Sequence, residues 1–257
     1  MLRINQLKRK LGAGQAVYGV ISSIPSPAAI ELIAEAAFDF VIIDMEHVLI
    51  NPETVENMIR TAEAYDLTPL VRVADLNPKT LLRLLDGGAQ GIVLPMIESP
   101  EQLADAIAAC KYHPLGRRSL NAGRPGAFGK NSLAQYVGRA NEETLLVAMI
   151  ESAEGARRAA EIAAVPGLDM ILEGAADLSQ SLGVPWQIDQ PAVQQALLDT
   201  WQAASAAGVP YCALPRQAGD LGRWRARGVK AFVLGDDRGI AFRALQARLA
   251  SLSAEGN

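Results

Sequence analysis

Two carboxylates of the sequence stand where buried strands are expected to end. Glu151 directly follows the apolar run LLVAMI (145–150), and Asp177 comes shortly after the run DMILE (169–173). Burial of a carboxylate next to a buried strand costs free energy unless the carboxylate is paired or bound to a metal. Two of them on adjacent strand ends suit a hard divalent cation, with water and substrate oxygens completing its coordination shell. The alternative is that Glu151 and Asp177 merely cap helices.

A histidine and an arginine hold similar positions. His47 follows the apolar run FVIID (40–44), where an imidazole that titrates near neutrality suits a general base. Arg72 lies inside the run PLVRV (69–73), and a guanidinium there must meet an anion, such as a substrate carboxylate or an enolate. The alternatives are a loop histidine bonded to a backbone carbonyl and an arginine in a structural salt bridge.

Eight short apolar runs, separated by amphipathic stretches, must position these residues. This alternation predicts a single (β/α)8 TIM barrel over residues 1–257. Asn51, Asn77 and Ser99 each precede a proline, which is typical of helix starts. A doubly wound open sheet is the alternative, but no GxGxxG sequence follows the first run. The predicted strands are residues 17–21, 40–44, 69–73, 91–95, 145–150, 169–173, 210–214 and 231–235.

In such a barrel the carboxyl ends of the strands form the mouth that holds the active site. The four residues above are all predicted to lie there. None of the six lysines follows a predicted strand, so an imine-forming aldolase is disfavoured. The connection between the fourth and fifth strands is long and contains a loop and helix insertion at about residues 112–143, as functional or interfacial segments do.

Composition narrows the class of protein. Half of the residues are hydrophobic and the formal net charge is -4, which supports a large core and disfavours nucleic-acid binding. The N-terminal segment lacks the apolar centre of a signal peptide, and no apolar run is long enough to span a membrane. We therefore expect a cytoplasmic protein that binds neither nucleic acid nor membrane. The two cysteines are predicted to be reduced thiols of the core.

Six segments carry a recognisable pattern along nearly the whole chain. They are FDFVIIDMEH (38–47), PLVRV (69–73), LLRLLDGGAQGIVLPMIES (81–99), YHPLGRRS (112–119), MIES (149–152) and EGAADLSQSLG (173–183). In this order they resemble the HpcH/HpaI family of metal-dependent class II aldolases of 2-oxo acids. The resemblance implies a barrel of the phosphoenolpyruvate/pyruvate-binding type. It also implies a divalent metal, with Mg2+ as the first choice and Mn2+ or Co2+ as alternatives.

The resemblance also implies a role for each matching residue. His47 corresponds to the base, and Arg72 to the arginine that holds the pyruvyl oxygen and carboxylate. The two metal ligands correspond to Glu151 and Asp177. The backbone stretch that approaches the substrate carboxylate contains Gly174 and Ala176.

Asp86 matches the aspartate of the family's His–Asp dyad. It precedes the fourth predicted strand at the amino-terminal mouth, whereas His47 lies at the opposite mouth. A strand of five or six residues spans about 17–20 Å, which is too far for a hydrogen bond within one subunit. The resemblance therefore implies that a neighbouring subunit of a homo-oligomer, a hexamer, supplies Asp86. The alternative is that Asp86 only caps the turn before Gly87.

The sequence departs from the family pattern in two places. EGAAD (173–177) stands where many members have an apolar residue and a proline, and the stretch 48–69 differs from that of the sugar-acid aldolases. This stretch resembles the branch that makes citrate from oxaloacetate and acetyl-CoA in siderophore pathways. Arg117 and Arg124 of the insertion are predicted to bind the extra carboxylates of oxaloacetate and citrate, unless the loop is simply solvated.

The sequence thus predicts a divalent-metal-dependent carbon–carbon lyase or synthase that acts through the enolate of a 2-oxo acid, with an aldehyde as second substrate. The alternative is a siderophore-pathway citrate synthase that condenses oxaloacetate with acetyl-CoA on the same scaffold. A third reading is a binding or regulatory barrel without turnover, in which the two carboxylates are incidental.

Overall fold

The computed structural model describes residues 2–130 and 132–253, and its eight strands form one closed parallel barrel. Each strand pairs with the next along the chain, and the eighth pairs with the first. Closure confirms the predicted (β/α)8 barrel and excludes the open sheet. In chain order the strands are β1 (Val17–Ser22), β2 (Phe40–Asp44), β3 (Thr68–Arg72), β4 (Gly91–Leu94), β5 (Leu145–Ile150), β6 (Met170–Glu173), β7 (Tyr211–Ala213) and β8 (Ala231–Asp236).

Helices of the described residues cover the outside of the barrel. They are α1 (Gln6–Gly12), α2 (Pro27–Glu35), α3 (Pro52–Ala64), α4 (Pro78–Gly87), α5 (Pro100–Cys110), α6 (Leu133–Glu143), α7 (Ala153–Arg157), α8 (Ala159–Ala163), α9 (Ala175–Ser181), α10 (Pro191–Ala206), α11 (Asp220–Ala226) and α12 (Asp237–Ser253). The side chains of Asn51, Asn77 and Ser99 accept backbone N–H groups at the starts of α3, α4 and α5. These contacts confirm the predicted helix starts.

Side chains that alternate along the strands build two apolar layers. One set, which includes Ile42, Leu70 and Met149, fills the barrel interior, and the other set packs against the helices. Cys110 lies in the outer layer and Cys212 in the inner one, and both are free and buried. The barrel is therefore a packed core rather than a pore, and chemistry is confined to its mouths.

The insertion between β4 and β5 lies against the amino-terminal end of the barrel. Lys111, directly after α5, donates from Nζ to the backbone carbonyls of Asn141 and Thr144 at 2.7 and 2.6 Å. Tyr112 stacks beneath the guanidinium of Arg118, whose carbon lies 4.7 Å from the ring centroid. These contacts fix the insertion on the side of the barrel where β4 and β5 begin.

The last helix, α12, packs against very little of its own subunit. None of its described residues is buried, and its exposed apolar side chains include Phe242, Leu245 and Leu249. An apolar surface of this kind is typical of a contact with another protein surface. Within residues 2–130 and 132–253, no helix has the length and apolar character needed to cross a membrane.

Candidate active site

Polar side chains lie at the carboxyl-terminal mouth of the barrel. They belong to the strand faces that point into the barrel interior. Asp44, Arg72 and Glu151 each lie two positions after an interior apolar residue of β2, β3 and β5, so the strand period aims them inward. All three are buried. The structure thus brings together Arg72 and Glu151, as the sequence predicts, and adds Asp44.

Arg72 is clamped by the neighbouring strand. Asp44 and Arg72 are paired in register at the ends of β2 and β3. Arg72 Nε donates to Asp44 Oδ1 at 3.0 Å, and Nη2 donates to Oδ2 at 2.9 Å. Burial acts to raise the pKa of Asp44, but the hydrogen bonds and charge of Arg72 outweigh it and hold that pKa below its ordinary value. The bidentate pair fixes the guanidinium plane.

The remaining end of the guanidinium faces the mouth. Arg72 Nη1 lies 3.2 Å from Glu46 Oε2 and 3.9 Å from the sulfur of Met149. In the described part of the chain, Glu46 Oε2 is buried and has no hydrogen-bond partner of good geometry. Burial raises the pKa of Glu46, although the charge of Arg72 opposes the rise. Arg72 therefore keeps N–H groups that can donate hydrogen bonds to an anionic substrate.

Glu151 is almost fully buried at this mouth, with 1% of its surface exposed. Its Oε1 accepts the backbone N–H of Met96 at 2.8 Å, and its Oε2 has no partner among the described residues. Burial raises the pKa of Glu151 to about 7, and the charges of Glu46 and Asp177 add to the rise. A buried carboxylate oxygen without a partner must meet a proton, a cation or a substrate group.

The alternative role of Glu151 as a helix cap is wrong. The residue that caps α7 is Ser152, whose hydroxyl accepts the N–H of Gly155 at 3.0 Å. Met96, which donates to Glu151, has a φ of +49°. This backbone conformation is energetically unfavourable for any residue that has a side chain. Backbone strain is thus retained where it directs an N–H group at the buried acid.

Asp177 lies in the first turn of α9 and is exposed. The helix begins after Gly174, where a Cβ would lie 2.4 Å from that of Glu151. Glycine therefore lets the backbone before Asp177 pack directly on Glu151. The charge of Asp177 raises the pKa of both Glu46 and Glu151, so the carboxylate of Asp177 lies within electrostatic range of both.

The fit of this mouth to a divalent cation depends on Glu151 and Asp177. Among the described residues, no group of three or more His, Cys, Asp or Glu side chains is arranged to hold a metal ion. Glu151 nevertheless offers a buried oxygen without a partner, and Asp177 offers a second carboxylate. Two carboxylates fit a hard cation whose shell is completed by water and substrate oxygens.

His47 lies at the rim of the mouth, with 56% of its side chain exposed. Its Nε2 is 3.9 Å from Glu46 Oε2, and its backbone N–H points at Asp44 Oδ1 over 3.4 Å. The imidazole is close to the carboxylates yet accessible from solvent. Its role as a base remains a prediction.

Asp86, by contrast, lies on the opposite side of the same subunit, near the end of α4. Arg118 Nη2 donates to Asp86 Oδ1 at 2.6 Å, and Asn121 Nδ2 donates to Oδ2 at 3.1 Å. Both carboxylate oxygens are therefore bound by the insertion. The structure does not bring Asp86 to His47 within one chain.

Arg117 and Arg124 also lie away from the carboxyl-terminal mouth of their own subunit. Arg117 forms an exposed ion pair with Asp105 at 3.0 Å. Arg124 donates to the carbonyl of Gly87 at 3.3 Å and pairs with Glu63. Arg117 and Arg124 can therefore contact substrate only at the mouth of a neighbouring subunit.

Removing Asp44 is expected to destabilise the fold, because it leaves the charge of Arg72 buried with Glu46 alone. We expect Asp44→Ala to lower the free energy of unfolding by about 3–5 kcal/mol in urea titrations. Asp105→Ala, which breaks the exposed pair with Arg117, is the control and should cost less than about 1 kcal/mol. Equal stabilities of the two variants would contradict the clamp.

Comparison with known proteins places the chain among carbon–carbon lyases. Residues 18–244 match the family described as HpcH/HpaI aldolase/citrate lyase. A hydroxypyruvate/pyruvate aldolase of Delftia acidovorans is 32% identical over 248 residues, which are 96% of this chain and 92% of that protein. A pyruvate aldolase of Rhizobium etli is 35% identical over 210 residues, which are 81% of this chain and 82% of that protein.

A solved structure is similar over an even larger part of both chains. The crystal structure of citrate synthase SbnG is 44% identical in sequence and superposes with a TM-score of 0.91. The similarity covers 97% of this chain and 98% of that one. The barrel and the connections between its strands are therefore shared over nearly the full length.

Proposed function

The chain belongs to the HpcH/HpaI aldolase/citrate lyase family, and from this premise we propose that it is a citrate synthase that condenses acetyl-CoA with oxaloacetate. Enzymes of this family are of the aldolase and lyase type, which make or break carbon–carbon bonds. The observation that carries the proposal is the 44% identity to citrate synthase SbnG over 97% of the chain, against 32% and 35% for the two aldolases.

The clamp on Arg72 suits the electrophile of this reaction. Asp44 holds the guanidinium through Nε and Nη2, and Nη1 remains directed at the mouth. A ketone oxygen of oxaloacetate that accepts from Nη1 gains negative charge as the new bond forms. Because the guanidinium is already fixed, the stabilisation of this charge needs no reorganisation. Gly174 and Ala176 are proposed to bind the adjacent carboxylate through the backbone.

His47 is proposed to take a proton from the acetyl methyl group. The resulting enolate carbon attacks the ketone carbon of oxaloacetate, and the alkoxide that forms next to Arg72 takes up a proton. Water then hydrolyses the thioester, so acetyl-CoA, oxaloacetate and water give citrate and free CoA. The pKa of an imidazole suits a base that works near neutral pH.

The direct test measures the release of the free thiol of CoA. Purified protein is mixed with acetyl-CoA and oxaloacetate, and free CoA is measured with a thiol reagent while citrate is identified by mass spectrometry. We expect equal amounts of both products, dependent on oxaloacetate. Thioester hydrolysis without oxaloacetate, or no release at all, would contradict the proposal.

A second candidate is an aldolase that adds a 2-oxo acid such as pyruvate to an aldehyde, which the names of the curated relatives favour. Glu151 and Asp177 would then hold a divalent cation, Mg2+ first and Mn2+ or Co2+ as alternatives. When bound, the cation polarises the 2-oxo group and acidifies the neighbouring carbon. Exchange of the pyruvate methyl protons with solvent, abolished by EDTA and restored by Mg2+, would support this candidate, and no exchange would exclude it.

The dyad of His47 and Asp86 is proposed to form between subunits of a homo-oligomer, a hexamer. Two observations support this assembly. Within one chain Asp86 lies at the mouth opposite His47, and α12 exposes apolar side chains that its own subunit does not cover. The same assembly would carry Arg117 and Arg124 to the mouth of a neighbour.

Mixed oligomers test shared sites. We expect His47→Ala and Asp86→Asn to be nearly inactive alone and to regain part of the activity when they are dissociated and reassembled together. Recovery follows because some interfaces then contain both wild-type residues. An active monomer, or no recovery in oligomers shown to contain both chains, would refute the shared dyad.

A further inference from the structure

Trp186 combines two unfavourable features. It lies in the loop between α9 and α10 with a φ of +63°, a conformation that is rare for a bulky side chain. The residue is also 81% exposed, so the strain is not offset by burial in the core. Strained residues that survive in a fold are concentrated at functional sites. A flat aromatic surface is thus held open to solvent near the carboxyl-terminal mouth.

The backbone of Trp186 is tied to the active-site turn. Its N–H donates to Ser179 Oγ at 2.9 Å, and the same hydroxyl donates to the carbonyl of Ala176 at 2.6 Å. Ser179 is fully buried. Ala176 is adjacent to Asp177 in the first turn of α9. One buried hydroxyl therefore fixes the position of Trp186 relative to the mouth.

A second loop, which follows β7, is joined to the loop of Trp186. Gln217 Nε2 donates to Asp189 Oδ2 at 2.8 Å. Next to this link, Arg216 and Arg223 line a crevice between α10 and α11 together with Ile188. The two loops and the adjoining helix α11 thus bring an exposed aromatic ring and two cationic side chains to the same edge of the mouth.

The nearby acids are already occupied. Asp220 accepts the backbone N–H groups of Arg216 and Gln217 at 2.9 and 2.8 Å and pairs with Arg223. Glu173 is buried, accepts from Tyr211 and from the backbone of the β7 loop, and lies 3.6 Å from Arg216 Nη1. Since each guanidinium has five N–H donors, both arginines retain groups for an anion.

We propose that this edge binds the nucleotide end of the CoA substrate, with Trp186 stacked on the adenine and with Arg216 and Arg223 bound to the phosphates. The inference rests on the proposed function, because acetyl-CoA alone among the substrates carries a base and phosphates. Bases stack on exposed aromatic side chains, and arginine forks match phosphate oxygens. The acetyl group then extends from this edge into the mouth.

The test separates the nucleotide end from the thioester. Trp186→Gly removes the ring and suits a positive φ, while Trp186→Phe keeps an aromatic surface. We expect Trp186→Gly to raise KM for acetyl-CoA about 5- to 100-fold, which corresponds to about 1–3 kcal/mol of stacking, and to leave KM for oxaloacetate unchanged. With acetyl-pantetheine, which lacks the nucleotide, Trp186→Gly and the wild type should behave alike. Trp186→Phe should stay within a few-fold of the wild type.

A binding measurement keeps the inference testable even if no citrate forms. Adenosine 3′,5′-bisphosphate should quench the tryptophan fluorescence of the wild type, and its affinity should fall in the double variant Arg216→Gln/Arg223→Gln. No binding to the wild type would overturn the inference whatever the enzyme does. An equal rise in KM with acetyl-pantetheine would also overturn it, as would a change of oligomeric state in Trp186→Gly. Failure of the wild type to make citrate despite binding the bisphosphate would count against the proposed function instead.

Discussion

Replacing Arg72 with lysine is expected to lower kcat by about 100- to 1,000-fold, as the loss of one fixed donor to a developing oxyanion does. Lysine keeps the charge but lacks the planar fork that Asp44 clamps through two hydrogen bonds. KM for oxaloacetate should change less than kcat, because the contact strengthens as negative charge develops in the transition state. Steady-state kinetics at saturating acetyl-CoA give both constants.

A matched control distinguishes this effect from a general response to arginine replacement. Arg157→Lys changes an exposed arginine that pairs with Glu154 on the outside of the barrel. We expect its kinetics to equal those of the wild type. An Arg72→Lys variant with unchanged kcat would remove Arg72 from the chemistry.

Glu151→Gln should lower activity by at least about 1,000-fold, within the range that positioned proton-transfer groups contribute. Glutamine keeps the shape and the contact with Met96, but it can neither take up a proton nor bind a cation strongly. We propose that both candidate reactions use the carboxyl group, as the proton donor to the citrate alkoxide or as a ligand of the cation, so the loss is expected for citrate formation and for pyruvate proton exchange alike. The measurement is kcat/KM for each reaction with freshly purified variant.

The same substitution should not harm the fold. The pKa of Glu151 is raised by burial from 4.5 to about 7, so the metal-free protein loses stability as pH rises through this range. The loss amounts to about 3 kcal/mol at pH 8, and Glu151→Gln should remove it. Urea unfolding in EDTA at pH 5 and pH 8 measures the difference. Exposed Glu154→Gln serves as control, and a Glu151→Gln variant less stable than wild type at pH 8 would contradict the account.

The scaffold could be predicted because each strand is a continuous apolar run. Parallel strands covered on both faces need such runs, and they stand out between amphipathic helices. The starts of α3, α4 and α5 were equally predictable, because a capping side chain before proline accepts hydrogen bonds from the first free N–H groups of a helix. All eight predicted strands are confirmed: β2 and β5 match residue for residue, and the ends of the other six differ by no more than one residue.

The site was only partly predictable. Glu151 and Arg72 could be predicted because a charge within or directly after an apolar run is conspicuous, whereas the role of Asp44 as clamp emerges only from the register of β2 on β3. The sequence shows only that Asp44 ends its run and that Arg72 lies one residue before the end of the next run. Nothing in the sequence indicates a role for Met96, because it contacts Glu151 through its backbone N–H and not through its side chain.

The path of the long insertion could not be predicted from the sequence. Arg117 and Arg124 were predicted to bind substrate from their charge alone, but the path of a long loop depends on tertiary contacts. Lys111 and Arg118 anchor the loop on the amino-terminal side, where Arg117 and Arg124 meet Asp105 and Glu63 of their own chain. Their approach to substrate thus remains a proposal that depends on subunit assembly.

The proposed reaction of this mouth joins the enolate of acetyl-CoA to oxaloacetate. The most direct measurement is a competition in one tube, with acetyl-CoA labelled with carbon-13 at the methyl group, oxaloacetate, pyruvate, an aldehyde and Mg2+, followed by NMR. We expect the label to appear in a methylene carbon of citrate and pyruvate to be left unchanged. Consumption of pyruvate and aldehyde with the label still in acetyl-CoA would contradict it.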